Sequence, residues 1–387
     1  MNEQVGSRQA NLSRLLRLAH LDGPVSRATL TLATGLNRST IADLVGDLVA
    51  LGLVEEHVPD PSRRVGRPSP LVSAHPAVVA IAVNPEVDAL TIGAVGLDRT
   101  VRRRERIEMS GLLTPERTAE LIAERMEAWR GEDLADAAIT GVGIAVPGLV
   151  RASDGLVRDA PHLRWSDIAL RELVVEATGL PTVIGNDAAM GVVAEHLFGA
   201  AKGIDHVVYL NGGASGIGGG LIVHGMPVAG ASGYSGEFGQ NRPGIASGAD
   251  RRAGEGVLED EVSRARLLAA LGRSNADEPT LAELLRTTGA TDVLEEIARQ
   301  RRILSTALAN AVNVLNPAVV VLGGFLGMLA AHDLEGFRAA VAAQTMAANG
   351  EDLEIRPAAL GEDRLLIGAA EAALADLLGD PAGFTAR

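Results

Sequence analysis

The chain of 387 residues contains no cysteine. Disulfides and thiolate metal sites are thereby excluded, and any zinc would need His, Asp or Glu ligands. The eight histidines include no metal-ligand pair spaced i, i+4, and no catalytic role is expected of them. No apolar run approaches the roughly 18 to 20 residues that cross a bilayer. The opening MNEQVGSRQANLSRLLRLAH lacks the ordered charge, apolar stretch and cleavage site of a signal peptide. A soluble cytoplasmic protein without a membrane partner is the expectation. Lysine occurs once, as Lys202, among many arginines, a composition bias from which no function follows. An excess of positive charge is missing too: the net charge is −14, which argues against nonspecific coating of nucleic acid. Residues 1–75 nevertheless carry 8 Arg against 7 acids, or +1, leaving −15 for the remainder. Any DNA contact belongs to the first 75 residues.

What is present there has the plan of a reader of DNA. Leucines 12, 15, 16 and 18 recur at helical spacing, and DGPVS ends that helix before Ser26 caps a second, over about 27–34. Gly35 then breaks the chain ahead of a third helix, about 38–51, with Ile41, Leu44, Val45, Leu48 and Leu51 on one face. Three short helices with a tight turn before the last predict a helix-turn-helix. Its recognition helix opens NRST, so Asn37, Arg38, Ser39 and Thr40 are candidate contacts to bases and phosphates, with Arg27 beside them. An ordinary three-helix packing unit capped by Asn37 is the alternative. The segment GLVEEHVPDPSRRVGRPSPLVSAH predicts strand, loop and strand, a wing whose Arg63, Arg64 and Arg67 would meet phosphates or a minor groove.

Beyond Pro76 the composition turns to apolar strands alternating with helices, an α/β pattern. Strands are predicted at AVVAIAV, ALTIGAVGL, ITGVGIAVPGLV, LPTVIG, HVVYLNGG, GGGLIV and PAVVVLGGFL, and helices over 114–130, 167–178, 187–198 and 294–315. The motifs GVGIAVPGLV (141–150), APHLRW (160–165), GNDAAMG (185–191), GIGGGLIVHG (216–225), GEFGQ (236–240), GVLE (256–259) and LNPAVVVLGG (315–324) follow in order. As a set, with the helix-turn-helix before them, they make the chain resemble the regulators of the ROK family (repressors, open reading frames and kinases).

The resemblance implies a winged helix-turn-helix over 1–75. A two-lobed ribonuclease-H-like fold of the actin and hexokinase type would follow over 76–387. Lobe one would span about 78–190 plus the C-terminal helix, and lobe two about 191–365. In kinases of that family an Asn-Asp pair sits at the sugar, the Asp accepting the proton of the attacking hydroxyl; Asn186 and Asp187 match it. Asp187 as a helix cap is the competing reading. Glu237, Glu259, Gln240 and His162 complete the implied sugar contacts, Gln240 replacing the family's His and His162 its Asn. Carboxylates in such a set suit a polyol. The phosphate loop D-x-G-G-T is matched by VNPEVDAL, which puts Asn84, Glu86, Val87 and Asp88 where phosphates would lie. Like charges about 4 Å apart cost on the order of 1 to 4 kcal/mol at surface-like dielectric, so loss of ATP binding is expected. Ala214 and Ser215 also replace Gly and Thr in the second loop, whose surviving Gly216, Gly218, Gly219 and Gly220 fit a hairpin turn. Asp250, Arg252 and Val257 stand at the family's zinc cysteines, so the zinc site is expected to be lost and no cofactor retained. The loop 241–256 is then ordered by its own packing or mobile until ligand or DNA binds.

Three readings follow from these residues. The preferred one is a repressor that binds double-stranded operator DNA as a homodimer or homotetramer and senses a sugar or sugar phosphate without phosphorylating it, Asp187 marking a former catalytic base. The others are a sugar kinase carrying a DNA-binding domain, and a regulator that needs no ligand.

Overall fold

A computed structural model of the chain describes residues 2–57 and 69–384. The first helix, α1 (Asn2–Asp22), leads through a short strand β1 (Val25–Ser26) into α2 (Arg27–Thr34) and α3 (Arg38–Ala50). Ser26 accepts the Thr29 N–H to cap α2, and Gly35, at φ 73°, ends it with a left-handed turn that a residue with a Cβ adopts only under strain. Strands β2 (Val54–His57) and β3 (Leu71–Ala74) pair antiparallel, with β1 on the far side of β3. The wing residues Arg63, Arg64 and Arg67 lie outside the described residues.

The remainder is built on two five-stranded sheets of one topology. The first holds β4 (Val78–Pro85), β5 (Ala89–Gly96), β6 (Val101–Glu108), β7 (Ala138–Val146) and, after further elements, β11 (Thr182–Asn186). Its order is β11-β7-β4-β5-β6, and α4 (Pro115–Arg130) packs on one face. Strands β8 (Leu149–Val150), β9 (Val157–Ala160) and β10 (Trp165–Ile168) make a small side sheet, followed by α5 (Leu170–Thr178). The strand β10 displaces the start of α5 from the expected residue 167. Helix α6 (Asp187–Phe198) crosses into the second sheet, where β12 (Val207–Gly213), β13 (Gly216–Val223), β14 (Met226–Pro227), β15 (Val319–Gly324) and β16 (Glu354–Pro357) run in the order β14-β13-β12-β15-β16. Each sheet thus has its first strand central, a hairpin on one side and parallel strands on the other. This is the two-lobed sugar-kinase type of fold.

Helices α7 (Leu258–Glu261), α8 (Arg264–Ala270), α9 (Glu278–Thr287), α10 (Thr291–Leu315), α11 (Phe325–Ala331), α12 (Leu334–Ala342) and α13 (Ala347–Gly350) belong to the second lobe. The last helix, α14 (Arg364–Gly379), returns to pack on the first. Alternation along β4 assigns its two faces: Val79, Ile81 and Val83 join the core under α4 and α5, whereas Val78, Ala80 and Ala82 join a core shared with α14 and α1. The front domain is therefore not strung on a linker. Leu12, Leu15 and Leu16 of α1 and Leu374, Leu377 and Leu378 of α14 occupy one continuous apolar cluster.

Candidate functional site

The carboxyl ends of β4, β7, β11 and β12 open on a cleft of about 280 Å³ between the lobes, the place where α/β sheets present their loops to ligands. All six residues matched to sugar contacts, Asn186, Asp187, Glu237, Gln240, Glu259 and His162, line it.

The cap of α6 turns out to be Asn186 rather than Asp187. Its side-chain oxygen accepts the Ala189 N–H at 2.9 Å while its Nδ2 donates to the Gly148 carbonyl at 3.0 Å. Asp187 accepts the neighbouring Ala188 N–H at 2.8 Å. Burial pushes its carboxyl up to about 6, against the pull of that N–H and of Arg364. Glu237 is pushed up to about 7, first by burial and then by the charges of Asp187 and Glu259. Glu259 is held from two sides: Oε2 accepts the Ile217 N–H at 3.0 Å, and Oε1 accepts from Gln240 Nε2 at 2.6 Å. The latter bond is what a Gln at position 240 supplies. His162 Nε2 stands 3.9 Å from Glu259. Glycine is required beside this carboxylate, since Gly216 has φ 112° and a Cβ on Gly239 would come within 2.2 Å of the Ile217 carbonyl oxygen.

The turn after β4 is closed by charge pairing. Asn84 is buried and donates to the Ala145 carbonyl at 2.7 Å. Arg106 of β6 lies 3.2 Å from Asp88 and 3.9 Å from Glu86. Burial, followed by Asp88, raises Glu86 to about 7, and Arg106 opposes the rise. The two carboxylates expected there are present, and the guanidinium of Arg106 lies against both, so the space holds an ion cluster. Beside it is a pair that the sequence did not reveal. Arg364, buried at the start of α14, donates to both carboxylate oxygens of Glu278 at 2.6 and 3.0 Å and to Asn211 Oδ1 at 2.9 Å. Glu278 opens α9 and lies far from Arg364 in the chain, so no periodicity or motif connects them.

The second glycine loop is a hairpin: Gly213 pairs with Gly216 around Ala214 and Ser215. Its later glycines serve packing. A Cβ on Gly218 would meet Ala188 at 2.8 Å, and one on Gly220 would meet Val192 at 2.6 Å, so they let α6 lie against β13.

At the positions aligned with zinc ligands the chain builds an ionic knot. Glu261, fully buried, accepts from the Arg252 and Ala253 N–H groups at 2.9 Å and pairs with buried Arg299 at 2.9 Å. Asp250 is gripped by both Nε and Nη2 of Arg302. These contacts run between loop 241–256 and the helices α7 and α10. Among the described residues no group of three or more His, Asp or Glu side chains is placed to hold a metal, and no helix is long and apolar enough to cross a membrane.

On the front domain Asn37, Arg38 and Ser39 are exposed at the first turn of α3, with Thr40 half-buried. The Asn37 side chain accepts the Thr40 N–H at 2.9 Å and the Ser39 hydroxyl at 2.7 Å, so it caps the helix. Arg27, at the start of α2, is engaged with Glu56 of β2, Nη2 to Oε2 being 2.6 Å.

Comparison with known proteins agrees with this architecture. The sequence pattern described as "ROK family" matches residues 80–376. The xylose repressor of Bacillus subtilis (strain 168) is 27% identical over 376 residues, 95% of each chain. A solved ROK family transcriptional regulator, a homolog of the E. coli MLC protein, superposes with a TM-score of 0.74 at 23% identity, covering 96% of this chain and 97% of that one. The ROK hexokinase of Thermus thermophilus gives 0.57 at 28% identity, over 77% of this chain and 99% of that one.

Proposed function

The chain belongs to the ROK family, and from that premise we propose that it is a sequence-specific DNA-binding regulator, a repressor of sugar uptake or catabolism genes. Residues 1–75 are the operator-binding domain. Residues 76–387 are a body that binds a sugar without phosphorylating it. Two copies reading two half-sites fit the helix-turn-helix plan, so a homodimer or a tetramer is the active species. Similarity to the xylose repressors, over nearly the full length of both chains, supports the regulatory half of this reading.

One observation carries the sensing half. Around the cleft, several of the donors that could meet a phosphate are already occupied by the protein's own side chains. Arg364 is taken by Glu278, Arg106 by Asp88 and Glu86, the Ala188 N–H by Asp187, the Ala189 N–H by Asn186 and the Ile217 N–H by Glu259. Phosphoryl transfer is catalysed chiefly by positioning and by neutralising phosphate charge, and those donors are spent. Asp187, Glu237 and Glu259 still face the cleft as acceptors for hydroxyls. The same pattern favours an unphosphorylated sugar over a sugar phosphate.

The test measures two things on the full chain. Purified protein with ATP, magnesium and a panel of pentoses, hexoses and N-acetyl hexosamines is expected to release no sugar-dependent ADP; release that Asp187→Asn abolishes would establish a kinase instead. Operator fragments recovered by genomic selection are expected to lose affinity with an unphosphorylated sugar. Affinity indifferent to every sugar and sugar phosphate would reduce the protein to a ligand-independent regulator.

A further inference from the structure

Two helices begin in the cleft and converge, at their other ends or along their length, on one residue of the front domain. Helix α6 starts at Asn186 and Asp187 and ends at Phe198. Helix α14 starts at Arg364 and carries Glu371 two turns on. Both reach His20 in the last turn of α1. The His20 imidazole is 1% exposed; its Nδ1 is 2.6 Å from the Leu97 carbonyl oxygen, and its Nε2 is 2.9 Å from Glu371 Oε1. The Phe198 ring meets it edge-on at 5.5 Å between centroids. The carbonyl of the next residue, Leu21, accepts from Arg99 at 3.0 Å, and the Arg99 guanidinium lies over Phe198 at 5.5 Å.

The two helices are locked to each other. A Cβ on Gly368 of α14 would fall 2.2 Å from the Met190 carbonyl oxygen of α6, so their backbones touch. Elements packed this closely do not shear past each other by small continuous steps; they shift as a unit. From His20 the chain runs within a few residues through β1 into α2 and α3, the helix-turn-helix itself.

We propose that His20 is the coupling pin between the sugar cleft and the DNA-reading helices: a ligand-driven shift of the α6–α14 pair reaches α1 through Phe198 and Glu371. The inference rests on the sensing function proposed above. His20 neither touches the cleft nor faces DNA, so it is a positioning residue. Its removal uncouples two sites that each keep their own affinity. In allosteric systems the coupling ratio is commonly about 5- to 150-fold, and that ratio is the quantity His20 controls.

The experiment uses the full chain, D-xylose as the probe and an operator fragment recovered by genomic selection. D-xylose binding, by calorimetry, and operator affinity, with and without saturating D-xylose, are measured for the wild type, His20→Gln and Phe198→Leu. Phe198→Leu is the second variant because it keeps an apolar side chain at a half-buried position and tolerates the fold if His20→Gln does not. The expected result is sugar affinity within about twofold of wild type in the variants, with the ratio of operator affinities falling toward one. An unchanged ratio in both variants overturns the pin, as does a loss of coupling that follows only from lost sugar affinity. A wild type whose operator affinity ignores D-xylose removes this probe's sensing and the pin with it, an outcome distinct from coupling that survives in the variants.

Discussion

The carboxyl of Asp187 is held against its ordinary ionisation, and replacing it should make the protein more stable. Its ordinary value of 3.8 rises to about 6 on folding, burial being the largest cause. The folded state therefore binds this proton more tightly than the unfolded chain does, and the stability associated with it is fully present below 3.8 and lost as pH rises through 6. A shift of about two units corresponds to roughly 3 kcal/mol once both states have titrated. Asp187→Asn keeps the shape and the oxygen that accepts the Ala188 N–H, yet carries no charge. Relative to wild type it should gain roughly 3 kcal/mol at pH 8, about half that at pH 5 and almost nothing below about pH 4. Loss of the Asp187 charge also relaxes Glu237, which adds to the gain in the same direction. Urea unfolding of the two proteins at pH 5, 6.5 and 8 tests this. A variant that is less stable than wild type at pH 8, or whose advantage does not grow with pH, refutes the account of Asp187 as a desolvated acceptor kept for a ligand.

Other perturbations probe the remaining parts. Glu278→Gln leaves the Arg364 guanidinium, 4% exposed, without its counter-ion, and should lower unfolding free energy by roughly 3 kcal/mol; an unchanged urea midpoint would show that water reaches Arg364 freely. Gly143→Ala would place a Cβ 1.9 Å from the Ala369 carbonyl oxygen, where α14 crosses the first sheet. A loss of at least about 2 kcal/mol is expected by the same measurement, and wild-type stability would mean that α14 moves away easily. Arg38→Ala, at the exposed first turn of α3, should weaken operator binding and make the slope of log affinity against log salt shallower by about 0.9. An identical slope would place Arg38 away from phosphate.

The sequence disclosed some of these features and hid others for definite reasons. Helix starts were legible where a single side chain caps the backbone: Ser26 and Asn37 do so in the structure as their positions suggested. So were strands buried on both faces, such as β4 and β7, which read as unbroken apolar runs. Strand β6, with the sequence VRRRERIE, was not legible. Its side chains face partners drawn from across the fold, Arg103 pairing with Glu132, Arg104 with Glu362 and Arg106 with Asp88, and no local apolar pattern announces it. The charges in VNPEVDAL were visible, but their meaning depended on Arg106, a residue of that unseen strand. Asn186 and Asp187 presented one question, cap or ligand, and the cap falls to Asn186, whose side chain accepts the Ala189 N–H, while Asp187 lines the cleft.

That division bears on how a sensor can be made from a kinase-like body. A carboxylate with a raised pKa in an empty cleft is a store of unfavourable free energy, released when hydroxyl donors reach it. Asp187 and Glu237 are raised in this way to about 6 and 7, the Asp187 charge adding to the rise at Glu237, and both approach β13, Asp187 at Gly218 and the residue before Glu237 at Gly219. A neutral polyol that donates to both gains from both at once only where their separation matches its hydroxyls, so on the sensing reading it binds one arrangement of the cleft better than another. That difference in affinity is what shifts a two-state equilibrium. A phosphorylated ligand would bring further negative charge beside Glu86, Asp88, Glu237 and Glu278, where Arg104, Arg106 and Arg364 are already paired with carboxylates and Arg264 donates to the Ala276 carbonyl. On the sensing reading, the acidity that opposes nucleotide is therefore the same property that makes an uncharged sugar an effective signal.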